Sequence, residues 1–153
     1  MRKLVKVGIP CTYLLINAVT YVIRNVTKVL LGAFAFMSNG NAMSRVGTAA
    51  VAMIAHQHQV PVIFCCEIYK FCERAHLDSI CYNELAQPEE VLAVPGPESD
   101  LQKQWRSIDS LQVLNLSYDL TPCSFIDMII TESGVMPPTS VPVILREMAE
   151  KET

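Results

Sequence analysis

Short apolar runs alternate with stretches of helical periodicity along this chain, and this alternation constrains the fold more than any other feature. The apolar runs are residues 11–16, 28–36 and 60–68, and each predicts a buried strand. Residues 17–26 and 48–59 lie between them and place apolar side chains at helical spacing. Strands that alternate with helices predict an α/β domain in which helices cover both faces of a parallel sheet.

The second half of the chain predicts one further strand and one further helix. Over residues 112–118, apolar side chains alternate with polar ones, as in a half-buried strand. Thr121 has the residue type of a helix N-cap, and Pro122 suits the first helical position. Four apolar residues then recur at helical spacing before Gly134: Phe125, Ile126, Ile129 and Ile130. The pattern therefore predicts a helix that begins after Thr121.

Length and composition limit the classes of protein to which the chain can belong. At 153 residues it has room for one domain, predicted over 1–153, and its 51% hydrophobic content excludes disorder. Twelve basic residues stand against 15 acidic ones, and they are scattered, so we predict no nucleic-acid binding. The longest uncharged stretches, 7–23 and 46–66, contain proline and polar residues that argue against membrane spans. The basic start lacks the features of a signal peptide, so we expect a cytosolic protein.

The six cysteines are expected to be reduced and structural. Most lie inside apolar runs, where cysteine packs as a small hydrophobic side chain. A zinc site built from Cys72, His76 and Cys81 is the alternative, but their spacing matches no paired-cysteine pattern and a fourth ligand is missing. The sequence therefore predicts no metal.

The segment after the strand 28–36 is the first place to look for a binding site, because ligands of parallel sheets lie beyond the carboxyl ends of the strands. Gly47 and Thr48 fall at a predicted helix start, and Arg45 lies nearby, a combination that can bind an anion. The alternative is a capped helix whose glycine packs against a strand. The sequence contains neither of the common glycine-rich nucleotide-binding motifs.

Candidates for acid–base or nucleophilic chemistry are few. His56 and His58 lie near the end of the predicted helix 48–59, where a positive side chain interacts favourably with the helix dipole. Cys65 and Cys66 precede a glutamate at a strand end, but adjacent residues of a strand point to opposite faces and no histidine accompanies them. We expect these residues to pack rather than to react.

Three blocks of residues resemble one known family. They are Gly40-x3-Ser44-Arg45-Val46-Gly47-Thr48-Ala49, Cys65-Cys66-Glu67-x-Tyr69-Lys70-Phe71-Cys72-Glu73-Arg74, and Tyr118-Asp119-x-Thr121-Pro122 with Ile130-Thr131-Glu132-x-Gly134. Their combination is similar to the delta subunits of eukaryotic translation initiation factor 2B, over residues 4–146. The resemblance implies a Rossmann-like domain, and it implies that the family's helical N-terminal domain and first strand are missing from this chain.

The family is related to two sugar-phosphate isomerases, which act on methylthioribose 1-phosphate and ribose 1,5-bisphosphate. In those isomerases a strand ends in Gly-Ala-Asp, whereas this chain has Gly32-Ala33-Phe34. A phenyl ring neither accepts nor donates a proton, so the resemblance implies a non-catalytic subunit without a cofactor. The alternatives are an isomerase that uses other groups and a sugar-phosphate sensor. A sensor would bind its ligand at a vestigial anion site formed by Arg45, Gly47 and Thr48.

The resemblance also implies partners. The family's alpha, beta and delta subunits form a regulatory core on which the gamma and epsilon subunits assemble. The complex exchanges GDP for GTP on initiation factor 2 and senses phosphorylation of that factor's alpha subunit. By analogy we predict interface roles for Tyr69, Phe71, Leu114 and Leu116. Core packing is an equal alternative for the two leucines, whereas Phe71 lies among charged residues, as in a surface loop.

Overall fold

Two four-stranded sheets form the centre of the computed structural model, which describes residues 1–75, 83–93, 102 and 104–151. The strands are β1 (Val29–Gly32), β2 (Ala35–Met37), β3 (Ala42–Arg45), β4 (Val62–Cys65), β5 (Phe71–Cys72), β6 (Tyr118–Thr121), β7 (Met128–Thr131) and β8 (Gly134–Met136). The α-helices are α1 (Arg2–Lys6), α2 (Val19–Val22), α3 (Thr48–Gln57), α4 (Pro88–Leu92) and α5 (Val141–Lys151). In the described part of the chain, no helix has the length and apolar content needed to cross a membrane.

The first sheet has the order β1-β4-β7-β8. Its first three strands are parallel and β8 is antiparallel. Val62, Phe64 and Ile129 point to one face and are fully buried there, in an apolar cluster with Ala52 and Ala55 of α3. The alanines let the helix lie close to the strands. The predicted α/β architecture with parallel strands and flanking helices is confirmed, although an antiparallel edge makes this sheet mixed.

The second sheet has the order β5-β2-β3-β6. The predicted strand 28–36 is divided in the structure into β1, in the first sheet, and β2, in the second. Gly32 still pairs with Cys65 in the first sheet, but the Phe34 N–H donates to Met43 O of β3. Only two residues therefore separate strands of different sheets. The larger apolar cluster of the described residues contains side chains of both sheets, so the two sheets share a core.

The N-terminal third contains less strand than its apolar pattern predicts. The predicted strand 11–16 is wrong: residues 11–15 have no regular structure, and Ile16 opens a 3₁₀ turn. The predicted helix 17–26 is present as short pieces, with α2 between two 3₁₀ turns. The prediction of a helix over 48–59 is confirmed by α3, apart from its last two residues.

The predicted helix after Thr121 is wrong. A 3₁₀ turn, Cys123–Phe125, leads instead into β7. In the strand that forms, burial alternates from residue to residue, since Ile129 is buried between the exposed Met128 and Ile130. The hydrogen bonds between β7 and β4 therefore make residues 128–131 a strand rather than a helix.

The predicted strand 112–118 begins only at its last residue, since β6 starts at Tyr118. Upstream, Leu116 forms an isolated antiparallel bridge with Leu85. The two backbone bonds around this bridge, from Ala86 N to Asn115 O and from Ser117 N to Glu84 O, hold the segment without a continuous ladder. The alternating pattern thus marked a segment that crosses the surface beside the sheet.

Candidate functional site

A cleft of about 360 Å³ opens at the carboxyl end of β1, where the chain passes from one sheet to the other. It is lined by Gly32, Ala33, Phe34, Arg45, Thr48 and Tyr118. These residues come from β1 and the link to β2, from the end of β3, from the start of α3 and from β6. The carboxyl end of a parallel strand is where this class of fold places ligands. Sequence reasoning identified the location, and the structure brings Arg45 and Thr48 together there.

Phe34 forms the aromatic wall of the cleft and is 57% exposed. Its ring centre lies 4.9 Å from that of Tyr118, and the planes are tilted by 39°. The side chain has no atom that can carry a proton, so the residue that the resemblance places at the isomerase aspartate position supplies no acid or base.

Arg45 supplies the positive charge of the cleft. Its guanidinium carbon lies 5.0 Å from the centre of the Tyr118 ring, within the range of a cation–π interaction. Among the described residues, the ion pairs are Lys70 with Glu67 and Arg106 with Glu89, so Arg45 has no described carboxylate partner. Its charge is therefore available to an anion.

The first turn of α3 already holds an anionic group, the carboxylate of Asp119. Asp119 Oδ2 accepts hydrogen bonds from Gly47 N at 2.7 Å and from Ala49 N at 2.9 Å. Gly47 can present its N–H in this way because it adopts φ 99°, which other residues rarely adopt. Burial raises the pKa of Asp119, and the amide hydrogen bonds oppose that rise. The chain's own carboxylate thus takes part of the predicted anion site.

Asp119 lies two residues before Thr121, where the sequence predicts a helix start, but no helix forms there. The cap instead acts across the fold, from β6 to α3. Because 70 positions separate Asp119 from Ala49, no local sequence pattern predicts this cap, and the aspartate itself is the sole indication of it.

A second, smaller cleft lies at the carboxyl ends of β4 and β7 and includes Cys65, Cys66 and Glu132. Cys66 is buried, and burial raises its pKa to about 11, so at neutral pH it is a thiol rather than a nucleophilic thiolate. Cys65 is exposed on the opposite face, as predicted. Both oxygens of Glu132 accept from Ile68 N, which fixes the loop after β4. These contacts agree with a packing role.

The four predicted interface residues fall in different environments. Tyr69 is 73% exposed and Leu114 is 62% exposed, whereas Leu116 is half-buried beside Leu85. The surface position predicted for Phe71 is wrong: it is 7% exposed in β5, and its ring packs edge-on against Phe36 at 5.8 Å. Pairing of β5 with β2 turns this side chain inward, although its sequence neighbours are charged. The interface roles of the other three residues stay predictions.

The alternative zinc site is only partly within the described residues. Cys72 is half-buried with its Sγ 3.3 Å from Met37 Sδ, and His76 and Cys81 lie outside the described residues. Among the side chains that the structure describes, no group of three or more His, Cys, Asp or Glu could hold a metal ion.

Solved structures with this architecture define a class of Rossmann-like α/β domains shared by initiation-factor subunits and sugar-phosphate isomerases. One is the translation initiation factor eIF-2B, subunit delta, from A. fulgidus, with a TM-score of 0.76 and 24% identity over 94% of this chain and 41% of that one. Another is the 5-methylthioribose 1-phosphate isomerase of Pyrococcus horikoshii OT3, with a TM-score of 0.73 and 25% identity over 94% of this chain and 38% of that one. The Rossmann-like fold is thereby confirmed.

The chain belongs to the initiation factor 2 subunit family, whose model matches residues 1–138. It is 48% identical to the translation initiation factor eIF2B subunit delta of Dictyostelium discoideum, over 96% of this chain and 24% of the relative. It is 43% identical to the subunit delta of Schizosaccharomyces pombe, over 98% of this chain and 33% of the relative. The ribose 1,5-bisphosphate isomerase of Pyrococcus furiosus is 35% identical, over 95% of this chain and 43% of that enzyme. The chain thus spans a quarter to a third of the length of the two delta subunits.

Proposed function

We propose that this chain is a regulatory, non-catalytic part of translation initiation factor 2B, the complex that exchanges GDP for GTP on initiation factor 2. The identity to two subunits named delta supports membership in that complex. Phe34 is the observation that supports a non-catalytic role, because it stands in the cleft where the related isomerases need a proton carrier.

The other residues that line the cleft do not replace that proton carrier. Arg45 offers only hydrogen-bond donors, and Thr48 and Tyr118 carry hydroxyl groups in place of a carboxylate. The carboxylate of Asp119 is bound to the first turn of α3. General acid–base catalysis contributes about 10²- to 10⁴-fold to a rate, and the cleft supplies no pair of groups for it.

The proposed partners are the alpha, beta, gamma and epsilon subunits and initiation factor 2, including its phosphorylated alpha subunit, and the proposed location is the cytosol. Tyr69 and Leu114 support a protein-binding surface because large apolar groups are costly to leave in water, and aromatic side chains often contribute most to an interface. Tyr69 is held by its neighbour, since Lys70 Nζ lies 5.7 Å from its ring centre.

Co-expression of the tagged chain with the beta subunit tests this proposal. We expect the two to co-purify, and we expect the double variant Tyr69→Ala, Leu114→Ser to lose most of the beta subunit while keeping its far-UV circular dichroism spectrum. Tyr21→Ala is the matched control, since Tyr21 is also exposed, at 85% against 73% for Tyr69, but lies on another element. A folded chain that binds no exchange-factor subunit would contradict the proposal.

The identity to the P. furiosus isomerase favours a second candidate, a sugar-phosphate isomerase. Incubation with ribose 1,5-bisphosphate or methylthioribose 1-phosphate tests it directly, and turnover of either compound would replace the non-catalytic proposal. A sensor that binds such a ligand without turnover predicts heat on calorimetric titration that Arg45→Ala removes.

A further inference from the structure

A pocket of about 480 Å³ lies at the opposite end of the first sheet from the cleft, where α3 ends and where β4 and β7 begin. It is lined by His56, Gln57, Gln59, Val60, Pro61 and Asp127. Its volume is within the usual range for pockets that bind small molecules. None of these residues lines the cleft or belongs to the predicted interfaces, so the pocket is a separate feature of the fold.

The end of α3 gives this pocket a negative partial charge. Two backbone bonds of the Schellman type satisfy the carbonyls of Ala55 and His56, with Gln59 in the left-handed conformation that this motif uses. The carbonyl of Gln57 has no backbone donor among the described residues, because Pro61, four positions further along, has no N–H. Unsatisfied carbonyls at the end of a helix favour a cation.

Asp127 adds a full negative charge to the same pocket. Its Oδ2 accepts a hydrogen bond from Val62 N at 2.8 Å, and its own N–H donates to Val62 O at 3.0 Å, so the residue is fixed between the starts of β7 and β4. Neither of the two ion pairs formed by described side chains includes this carboxylate. The side chain is exposed, and its charge can therefore pair with a cation that enters the pocket.

The ring of His56 forms an aromatic wall of the pocket. Its centre lies 5.2 Å from that of Phe125, and the two planes are tilted by 48°. Phe125 is half-buried and packs against the apolar core, so it supports the imidazole from the protein side. His56 itself is exposed. A planar cation can stack on such a ring, whereas a compact ammonium group has no plane with which to do so.

We propose that this pocket binds a guanidinium group, which pairs with the Asp127 carboxylate and stacks on the His56 ring. A guanidinium is always charged and presents its N–H donors in a planar fork that fits a carboxylate. An arginine side chain of a partner protein and a free arginine derivative carry the same group, and the experiment separates these two sources. The proposal uses none of the residues that support the proposed function.

Titration of the full chain with acetyl-arginine amide, followed by amide NMR spectroscopy, tests this proposal. We expect saturable shifts of the amide signals of Asp127 and of its neighbours in the pocket. Acetyl-citrulline amide has the same shape without the charge, and acetyl-lysine amide has the charge without the plane. Both should bind more weakly, by about fivefold or more, because each lacks one of the two interactions.

A blocked pentapeptide with a central arginine among alanines distinguishes the two sources of the guanidinium. Binding of either arginine probe supports the site. Tighter binding of the pentapeptide than of acetyl-arginine amide would identify a protein side chain as the ligand, and tighter binding of the amide would identify a small molecule.

Three variants test the roles of the two side chains. Asp127→Asn removes the charge but keeps an acceptor for Val62 N, so it should preserve the fold and weaken acetyl-arginine amide about tenfold. Asp109→Asn makes the same change of charge at an exposed residue in a turn, and it should leave the affinity unchanged. His56→Leu keeps an apolar wall without the ring and should weaken binding about two- to fivefold.

Three results would overturn the proposal. The first is an absence of saturable shifts at millimolar acetyl-arginine amide, in a chain whose fold circular dichroism has verified. The second is equal affinity for the arginine and citrulline derivatives, a comparison that uses the native chain and so does not depend on a variant that folds. The third is an affinity that Asp127→Asn does not change. None of them bears on co-purification with the beta subunit, which tests the proposed function separately.

Discussion

Replacement of Asp119 by alanine should destabilise the whole domain, although the side chain lies on β6 and the contact it makes is with a distant helix. The carboxylate accepts hydrogen bonds from Gly47 N at 2.7 Å and from Ala49 N at 2.9 Å, and so caps α3 from outside the helix. Alanine would leave both N–H groups without this acceptor. Helix α3 packs on the first sheet, so weakening its first turn also weakens the packing of the core.

The size of the effect follows from these two contacts. Loss of an N-cap side chain costs about 1 kcal/mol, and a hydrogen bond to a charged group contributes about 1.5–3 kcal/mol. Burial raises the pKa of Asp119, so desolvation of the carboxylate cancels part of that gain. We therefore expect Asp119→Ala to lower the free energy of unfolding by about 2 kcal/mol, or the melting temperature by about 4–8 °C. Asp119→Asn keeps one acceptor and should lose about half as much.

Urea denaturation at pH 7, followed by circular dichroism, measures this effect. The slope of the unfolding free energy against urea should be unchanged, because the same surface is exposed on unfolding. Asp109→Ala is the control, since Asp109 is an exposed carboxylate in a turn. If Asp119→Ala and Asp109→Ala both stayed within about 0.5 kcal/mol of the native chain, the typical range for surface substitutions, the capping role argued for Asp119 would be refuted.

Three further predictions concern titration and backbone strain. The raised pKa of Asp119 means that the folded chain binds this proton more tightly than the unfolded chain, whose pKa is near 3.8. The stability gained by protonating Asp119 is therefore lost as the pH rises through the folded pKa, whereas the two capping hydrogen bonds remain at pH 7. Asp119→Asn should flatten that part of the profile. The pKa of Cys66 is raised from 9.0 to about 11, so its thiol should add about 2–3 kcal/mol to the free energy of unfolding, and this is lost between those two pH values. In alkaline denaturation, Cys66→Ala should remove this loss. The control Cys65→Ala, at an exposed cysteine, should not. Gln59 adopts φ 57°, so Gln59→Gly should stabilise the chain by roughly 0.5–1 kcal/mol. Met53→Gly, at an exposed position inside α3, should instead destabilise it by about 1 kcal/mol, and thermal melts that ranked the two variants the other way would contradict this account of strain.

The parts of the fold that depend on local sequence could be predicted. Helix α3 carries its own alanine-rich pattern and its own start, so its bounds are predicted to within two residues. The existence of β4 is predicted from its apolar run, but the strand occupies only Val62–Cys65 of the predicted 60–68. The cleft was located because it follows from where parallel strands end. Its cation, Arg45, was found for the same reason.

The parts of the fold that depend on residues distant in the sequence could not be predicted. The run that contains Ile129 and Ile130 fits a helix or a strand until β4 supplies hydrogen bonds along its edge. Phe71 looked exposed because its neighbours are charged, and only the pairing of β5 with β2 turns it inward. The bond from Asp119 to α3 closes a loop of about 70 residues, for which a single sequence carries no periodic signal.

The two-residue link between β1 and β2 has a mechanical consequence. Ala33 and Phe34 are tied to one sheet through Gly32 and to the other through the bond to Met43, so any sliding of one sheet past the other must be absorbed by rotation of their peptide units. Such a rotation would swing the Phe34 ring and change the width of the cleft. The orientation of the Phe34 ring therefore depends on the relative position of the two sheets. A fluorine label on this ring would let NMR follow its orientation during assembly.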